Sequence, residues 1–312
     1  MVKLLKNNHP HVSVIILTYN QKDDTLKCIE SFQSVTYQNH TIFLVDNASA
    51  DGTYEAVQKA FPSVHTFKAK ANLGCAGGRN FGAQKAIEQY DSGYILFVDN
   101  DIVVESDFIN HLVEIAEDYQ ESGIVTGKIL DFKKRDIIDA FGNHINLFTG
   151  KTPKIGHGQK DVGQYDSVIY LEAAGGGCQL ISTEVWKELG GYDDAFSPYG
   201  FEDMDMSLRV RAIGKKILFT PKAKIYHKGT QTIGDGIYVS KYTKLKGKHM
   251  RRFLSKHAKL HHKIFFYIFA PFLAVGSILR AIRSGDPGAA FSMFSSFFFP
   301  NREGKGGSTG SN

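Results

Sequence analysis

Cysteine is scarce in this sequence: Cys28, Cys75 and Cys178 are the only three in 312 residues. Their wide spacing excludes a zinc knuckle and a disulfide framework, and fits a reducing compartment with the thiols as small buried side chains. An apolar start is also missing. The opening MVKLLKNNHPH is too short and too polar for the core of a secretion signal, which argues against export. Acidic residues are absent from 240–283, where eleven Lys and Arg stand. That stretch carries +11 of a formal net charge of +5, so the rest of the chain stands at −6. So uneven a distribution calls for a partner of opposite sign. A long uninterrupted hydrophobic run is missing too. The most apolar stretch, 264–279, has sixteen residues broken by Pro271 and Gly276, and a membrane crossing needs about 20.

What is present is an ordinary folding composition, 42% hydrophobic and 22% charged, in a chain long enough to bury a large core. Its first part alternates β-branched runs with helical periodicity. Strands are expected at 12–17, 41–45, 64–67 and 94–98, and helices at 23–35, 53–60, 78–88 and 108–119. Units of this length predict an α/β fold with a mostly parallel, Rossmann-like sheet flanked by helices. Residues 130–164 read as loops or short hairpins. Short strands follow at 168–171, 178–181 and 216–219, with a helix around Trp186 and another over 202–213 closed by Gly214. A basic helix over 238–259 and the apolar run form a helical C-terminal extension. The Gly/Ser-rich tail from 304 reads as disordered.

Polar residues gather where the strands end, which is where open α/β sheets bind ligands. Asp99, Asn100 and Asp101 follow a hydrophobic strand. Such a pattern is often only a turn, yet alternate carboxylates can share a hard divalent ion whose other ligands are phosphate oxygens. Asp46 closes the preceding strand and Asp51 lies in its turn. The segment NLGCAGGRN (72–80) sets three glycines before a helix, so backbone amides can approach phosphate. It lacks the G-x-G-x-x-G spacing, and no Gly-Lys-Ser/Thr ends it, which disfavours an NAD enzyme and a P-loop. The densest cluster is GGYDDAFSPYGFEDMDMSLR (190–209). Helix-dipole capping accounts for one or two of Glu202, Asp203 and Asp205 but not for the acids, aromatics and glycines together. A carboxylate held at that helix start can deprotonate an acceptor hydroxyl. His227 is the remaining neutral candidate ligand.

These segments together resemble the inverting family 2 glycosyltransferases of the GT-A, nucleotide-diphospho-sugar transferase fold. Within them the chain is most similar to rhamnosyltransferase-like enzymes of cell-surface polysaccharide synthesis. VIILTYN (14–20), VDNAS (45–49) with DGT (51–53), the 72–80 segment, FVDND (97–101), GGGC (175–178) and YDD (192–194) through EDMD (202–205) carry the resemblance in order. It covers residues 12 to about 230. The resemblance implies that Thr18, Tyr19, Asn20 and Asp46 bind the base and ribose of a nucleotide-sugar donor. It implies that Asn72, Gly74, Gly78, Arg79 and Asn80 serve that donor as well. Asp99, with Asn100, would face ribose and diphosphate. Asp101, His227 and Asp99 would hold Mn²⁺ or Mg²⁺. Asp203 would be the catalytic base, with Glu202 orienting acceptor or base, and Gly176, Gly177 and Cys178 would lie beside donor sugar and acceptor. Two departures stand out: Asn100 in the middle of the metal motif, and EAAG (172–175) where relatives carry Trp, Thr and Gly. The second withholds any transfer of acceptor specificity.

The resulting expectation divides the chain into a catalytic domain at 1–235, a C-terminal region at 236–303 and a tail at 304–312. Within the catalytic domain, about 10–103 serve the donor and 104–235 the acceptor. The function expected is metal-assisted inverting transfer from dTDP-rhamnose or a UDP-hexose to a saccharide, lipid-linked acceptor. The basic and greasy end predicts peripheral attachment to an anionic membrane at its cytoplasmic face, with a buried homodimer interface or a helix closing the core as the alternative. A second greasy patch, 289–300, holds five phenylalanines. No nucleic-acid reading module accompanies the basic helix. The rival functions are a sugar-phosphate nucleotidyltransferase, which would need a basic glycine loop where Thr18-Tyr19-Asn20-Gln21 stands, and a catalytically silent carbohydrate-binding protein.

Overall fold

A computed structural model describes residues 9–229 and 240–283. The opening segment, the 289–300 patch and the tail from 304 lie outside the described residues. The chain forms two compact units, one of residues 1–146 with 151–231 and one of 147–150 with 232–312.

The first unit begins with β1 (Val12–Thr18), α1 (Lys22–Phe32), β2 (His40–Asp46), α2 (Thr53–Ala60), β3 (His65–Lys68), α3 (Gly74–Gln89) and β4 (Tyr94–Asp99). It continues with β5 (Ile102–Val104), α4 (Phe108–Asp118), β6 (Ser122–Asp131), β7 (Ile138–Ala140), β8 (Ile169–Leu171) and β9 (Cys178–Ser182). α5 (Thr183–Leu189), α6 (Glu202–Ala212) and β10 (Lys216–His227) complete it. The sheet order is β3-β2-β1-β4-β9-β6-β10-β5, with β7 beside β6 and β8 beside β10. β3, β2, β1 and β4 are parallel to one another. β9 runs antiparallel between β4 and β6, and β6 and β10 are again parallel.

Side-chain alternation divides the core between the two sheet faces. Val12, Val14 and Ile16 of β1 pack with α1 and α4, among them Ile29, Phe32, Phe108 and Leu112. Ile15 of β1 packs with Phe97 of β4 and with Ala83, Trp186 and Met206 of α3, α5 and α6. The register aligns Thr18 with Asp46 and Leu17 with Asp99. Three strand ends thus deliver polar groups to one edge. Because β9 is reversed, its start at Cys178, opposite Val98, meets the same edge.

Three local expectations need correction. The 72–80 segment is not a loop preceding the helix, since α3 already starts at Gly74. A Cβ on Gly82 would stand 2.6 Å from Ile15 Cγ2, and one on Gly78 would collide with Leu17, so these glycines let the helix lie directly on β1. The 130–164 stretch begins inside β6, a ten-residue buried strand for which no strand was expected. The strand expected at 216–219 is the start of β10, which runs on to His227.

The second unit is helical, with α7 (Ser240–His257) and α8 (Leu260–Arg283). Phe253, Leu254, Ala258 and Phe266 are buried in it. The Phe148 ring packs against His262 at 4.4 Å and Phe265 at 5.2 Å. Pro271 and Gly276 do not divide the apolar run, which is part of the single helix α8.

Candidate active site

At the end of β2, Asp46 is fully buried. One of its carboxylate oxygens accepts from Ser49 N at 2.6 Å, and the other has no protein partner. A buried, unpaired acceptor is costly unless a ligand completes it. Asn20, in left-handed backbone (φ 59), donates its N–H to Ser49 Oγ and accepts from Ala50 N, tying the β1 and β2 ends together. Tyr19, directly after β1, stays 46% exposed. Thr18 and Asn100 face inward: the Asn100 amide donates to Thr18 Oγ1, Gln21 Oε1 and Thr25 Oγ1.

Just before α3, Asn72 accepts from Gly74 N and Asn47 Nδ2. Asn80 is bound to the backbone of Tyr192 and to Asp194. These residues shape the helix and its neighbours, whereas Arg79 reaches the carboxylates. Arg79 is 3% exposed and donates through one nitrogen to Asp99 Oδ1 (2.7 Å) and Gly176 O (2.9 Å). Its Nε and second terminal nitrogen have no protein partner.

Gly176 and Gly177 leave space where these groups meet. A Cβ on Gly176 would lie 3.2 Å from Arg79 and 3.4 Å from Asp203 Oδ2, and one on Gly177 3.5 Å from Asp99 Oδ2. Cys178 is buried in the sheet with its thiol pushed up to about 12, chiefly by burial, so it is an inert packing group. At the start of α6, Glu202 accepts from Gly200 N at 2.6 Å and Asp203 Oδ1 from Met204 N at 2.8 Å. Burial first, then the adjacent Glu202 charge, hold the Asp203 carboxyl above the usual range, although Arg79 opposes them. Asp205 is the structural member of the acidic trio, paired at 2.8 Å with Arg209, which ties α6 to the backbone of Leu189 and Gly191.

The third group lies at the ends of β4 and β10. β5 pairs Ile102 with His227, which sets Asp101 beside the imidazole. Asp99, Asp101 and His227 each offer one ligand atom, all within 4.8 Å of one another. Two carboxylates and one imidazole suit a divalent ion of intermediate hardness. His227 Nε2 lies 3.2 Å from Asp101 Oδ1, and its Nδ1 2.8 Å from Asp139 Oδ2. Burial lowers the imidazole's affinity for a proton, but the two carboxylates outweigh it and raise its pKa to about 10. Asp139 lies in the stretch read as loops and was not among the expected site residues. Nothing local in DIIDAFGN (136–143) marks it, because only the pairing of β7 with β6 brings it to β10.

The model of glycosyl transferase family 2 matches residues 13–161, and that described as the N-terminal domain of galactosyltransferase matches 164–231. The chain is 27% identical over 127 residues to glycosyltransferase GlyA of Streptococcus pneumoniae, covering 40% of this chain and 18% of that protein. It is 22% identical over 246 residues to the N-acetylglucosaminyl-diphospho-decaprenol L-rhamnosyltransferase of Mycobacterium tuberculosis, covering 71% of this chain and 77% of that protein. The crystal structure of GalNAc-T7 with UDP, GalNAc and Mn²⁺ superposes with a TM-score of 0.66 at 17% identity, over 92% of this chain and 56% of that one. With its strand-end acids on one edge of this sheet, the chain matches glycosyl transferase family 2 over residues 13–161 and has a GT-A fold.

Proposed function

We propose that this protein is an inverting glycosyltransferase that moves a sugar from a nucleoside diphosphate sugar to a saccharide acceptor. The observation that carries the reading is the meeting of Asp203 with the Arg79–Asp99 pair around Gly176, on the edge that also holds the Asp99, Asp101 and His227 triad. Asp46, with its unpaired oxygen, and Tyr19 take the nucleoside. Arg79 directs its two unpaired donors towards the diphosphate or sugar. Asp99, Asp101 and His227 hold Mn²⁺ or Mg²⁺, whose charge offsets that of the departing diphosphate. Asp203 takes the proton of the acceptor hydroxyl as its oxygen attacks the anomeric carbon from the face opposite the leaving group, so that carbon inverts. Its raised pKa suits a base that must hold a proton near neutral pH. The experiment is Asp203→Asn, which should still bind donor while losing about two to four powers of ten in transfer rate. Unchanged turnover, read as nucleotide release with acceptor present, would sink the assignment.

The donor favoured is dTDP-rhamnose, with a UDP-hexose as second choice, and the acceptor is lipid-linked. The breadth of the match to the mycobacterial rhamnosyltransferase, whose name includes a polyprenyl diphosphate, supports this. Among the described residues no helix is long and apolar enough to cross a membrane. α8 nevertheless exposes Leu260, Ile264, Tyr267, Ile268, Phe272 and Val275, each at least half open. With eleven cations and no acid over 240–283, this surface suits shallow insertion into an anionic leaflet, and a second copy of equal charge would repel it.

A further inference from the structure

His227 uses both of its ring nitrogens, and they point to opposite sides of the ring. Nε2 faces Asp101 at 3.2 Å, on the side of the candidate cation triad. Nδ1 faces Asp139 Oδ2 at 2.8 Å, so Asp139 cannot join His227 on the same ion. The carboxylate is itself held. Its other oxygen accepts from Lys154 Nζ at 2.9 Å, and His157 Nδ1 lies 2.8 Å from the Asp139 backbone carbonyl. β7 gains further support from the 156–159 turn, where Gly158 N donates to Ile138 O and Ile138 N to Gln159 O, both at 2.8 Å. The Asp139 side chain is 16% exposed and that of His227 15%, so water competes little for this contact.

We propose that Asp139 is the positioning residue of the cation site. By accepting the Nδ1 proton it fixes the His227 tautomer that leaves Nε2 free as a ligand, holds the ring plane towards Asp99 and Asp101, and raises the basicity of the ligating nitrogen. The proposal rests on the reading that Asp99, Asp101 and His227 bind a divalent ion. Lys154 belongs to the structural half of the cluster, since it fixes Asp139 without touching His227.

Binding of Mn²⁺ alone to the full chain, followed by the electron paramagnetic resonance of the free ion, tests this without any turnover. The expected order is wild type tightest, Lys154→Met weaker by at most about a few-fold, Asp139→Asn weaker again, and Asp139→Ala weakest, about 10–100-fold above the wild-type Kd. Asp139→Asn keeps an acceptor of the same shape, so it carries the test if circular dichroism shows the alanine variant misfolded. Equal affinity in wild type and both Asp139 variants, with His227→Ala weakened, overturns the role of Asp139 and leaves the metal reading intact. An equal loss in Lys154→Met overturns it as well, because the effect then belongs to the segment and not to the Nδ1 contact. Wild-type protein without saturable Mn²⁺ binding removes the metal reading and this proposal together.

Discussion

Arg79 and Asp99 form an ion pair at 2.7 Å in which the guanidinium is 3% exposed and the carboxylate 37%. One arginine nitrogen serves Asp99 and the Gly176 carbonyl, and two others remain without a protein partner. A buried guanidinium with spare donors is completed by an anionic or polyhydroxylated ligand. Arg79→Met should therefore lose both stability and donor binding. Removing one member of a buried pair costs about 3–5 kcal/mol, and the partial exposure of Asp99 reduces this to roughly 2–3. Urea denaturation measures the first effect and nucleotide titration the second. Intact donor binding in a destabilised variant would confine Arg79 to a structural role.

The pH dependence of transfer follows from Asp203. A base works only when deprotonated, and burial with the neighbouring Glu202 holds its pKa up. The acid limb of kcat/KM should therefore lie above that of an ordinary aspartate, with activity lost as pH falls through it. Glu202→Gln removes the repelling charge and should move that limb to lower pH. A limb that stays in place or moves upward contradicts the pairing.

Divalent ion should stabilise the folded chain, since the triad is assembled from β4, the turn after it and β10. At about a hundred times Kd, Mn²⁺ should add about 2.7 kcal/mol. Thermal melts with and without chelator read this directly. His227→Ala should abolish the increment, and an increment equal to that of wild type would place the ion elsewhere.

Membrane attachment predicts that Ile268→Asp with Phe272→Asp lowers binding to phosphatidylglycerol vesicles by at least tenfold, and that salt weakens wild-type binding. Sedimentation with vesicles of anionic and of neutral lipid separates the two contributions. Equal binding by the double variant, or a salt-insensitive dimer in light scattering, would favour an interface between copies.

Gly82→Ala tests the contact of α3 with β1. Alanine is the better helix former by about 1 kcal/mol. The added methyl would nonetheless stand 2.6 Å from Ile15 and 2.8 Å from Val45, and overpacking of this kind costs about 1–3 kcal/mol. A net loss of stability is expected, measured by denaturant midpoint. A gain would show that the helix can lift from the sheet at no cost.

Much of the parallel half of the sheet was legible because β1, β2 and β4 are short apolar runs that stop at polar residues, and parallel pairing aligns such stops at one edge. β6 was not legible. Its sequence SGIVTGKILD carries two glycines and a lysine, all poor strand signals. Their reasons are tertiary: Gly123 makes room for Val210, and Gly127 for the backbone of Ala223. Lys128, 1% exposed, is neutralised by Asp161 and Asp166, more than thirty residues away.

The order of the acids along the chain, the hydrophobic strands behind them and the basic, greasy end are properties of the sequence alone. They carry the resemblance to the family 2 glycosyltransferases. Which side chains meet was decided only in three dimensions. Asn100 turns inward while Asp99 and Asp101 turn towards His227, Arg79 and not its glycine neighbours reaches the carboxylates, and Asp139 arrives across β6. The reason is physical. Periodicity and residue type encode which face of an element is buried, whereas hydrogen-bond partners tens of residues apart depend on strand order and register, which no local pattern carries.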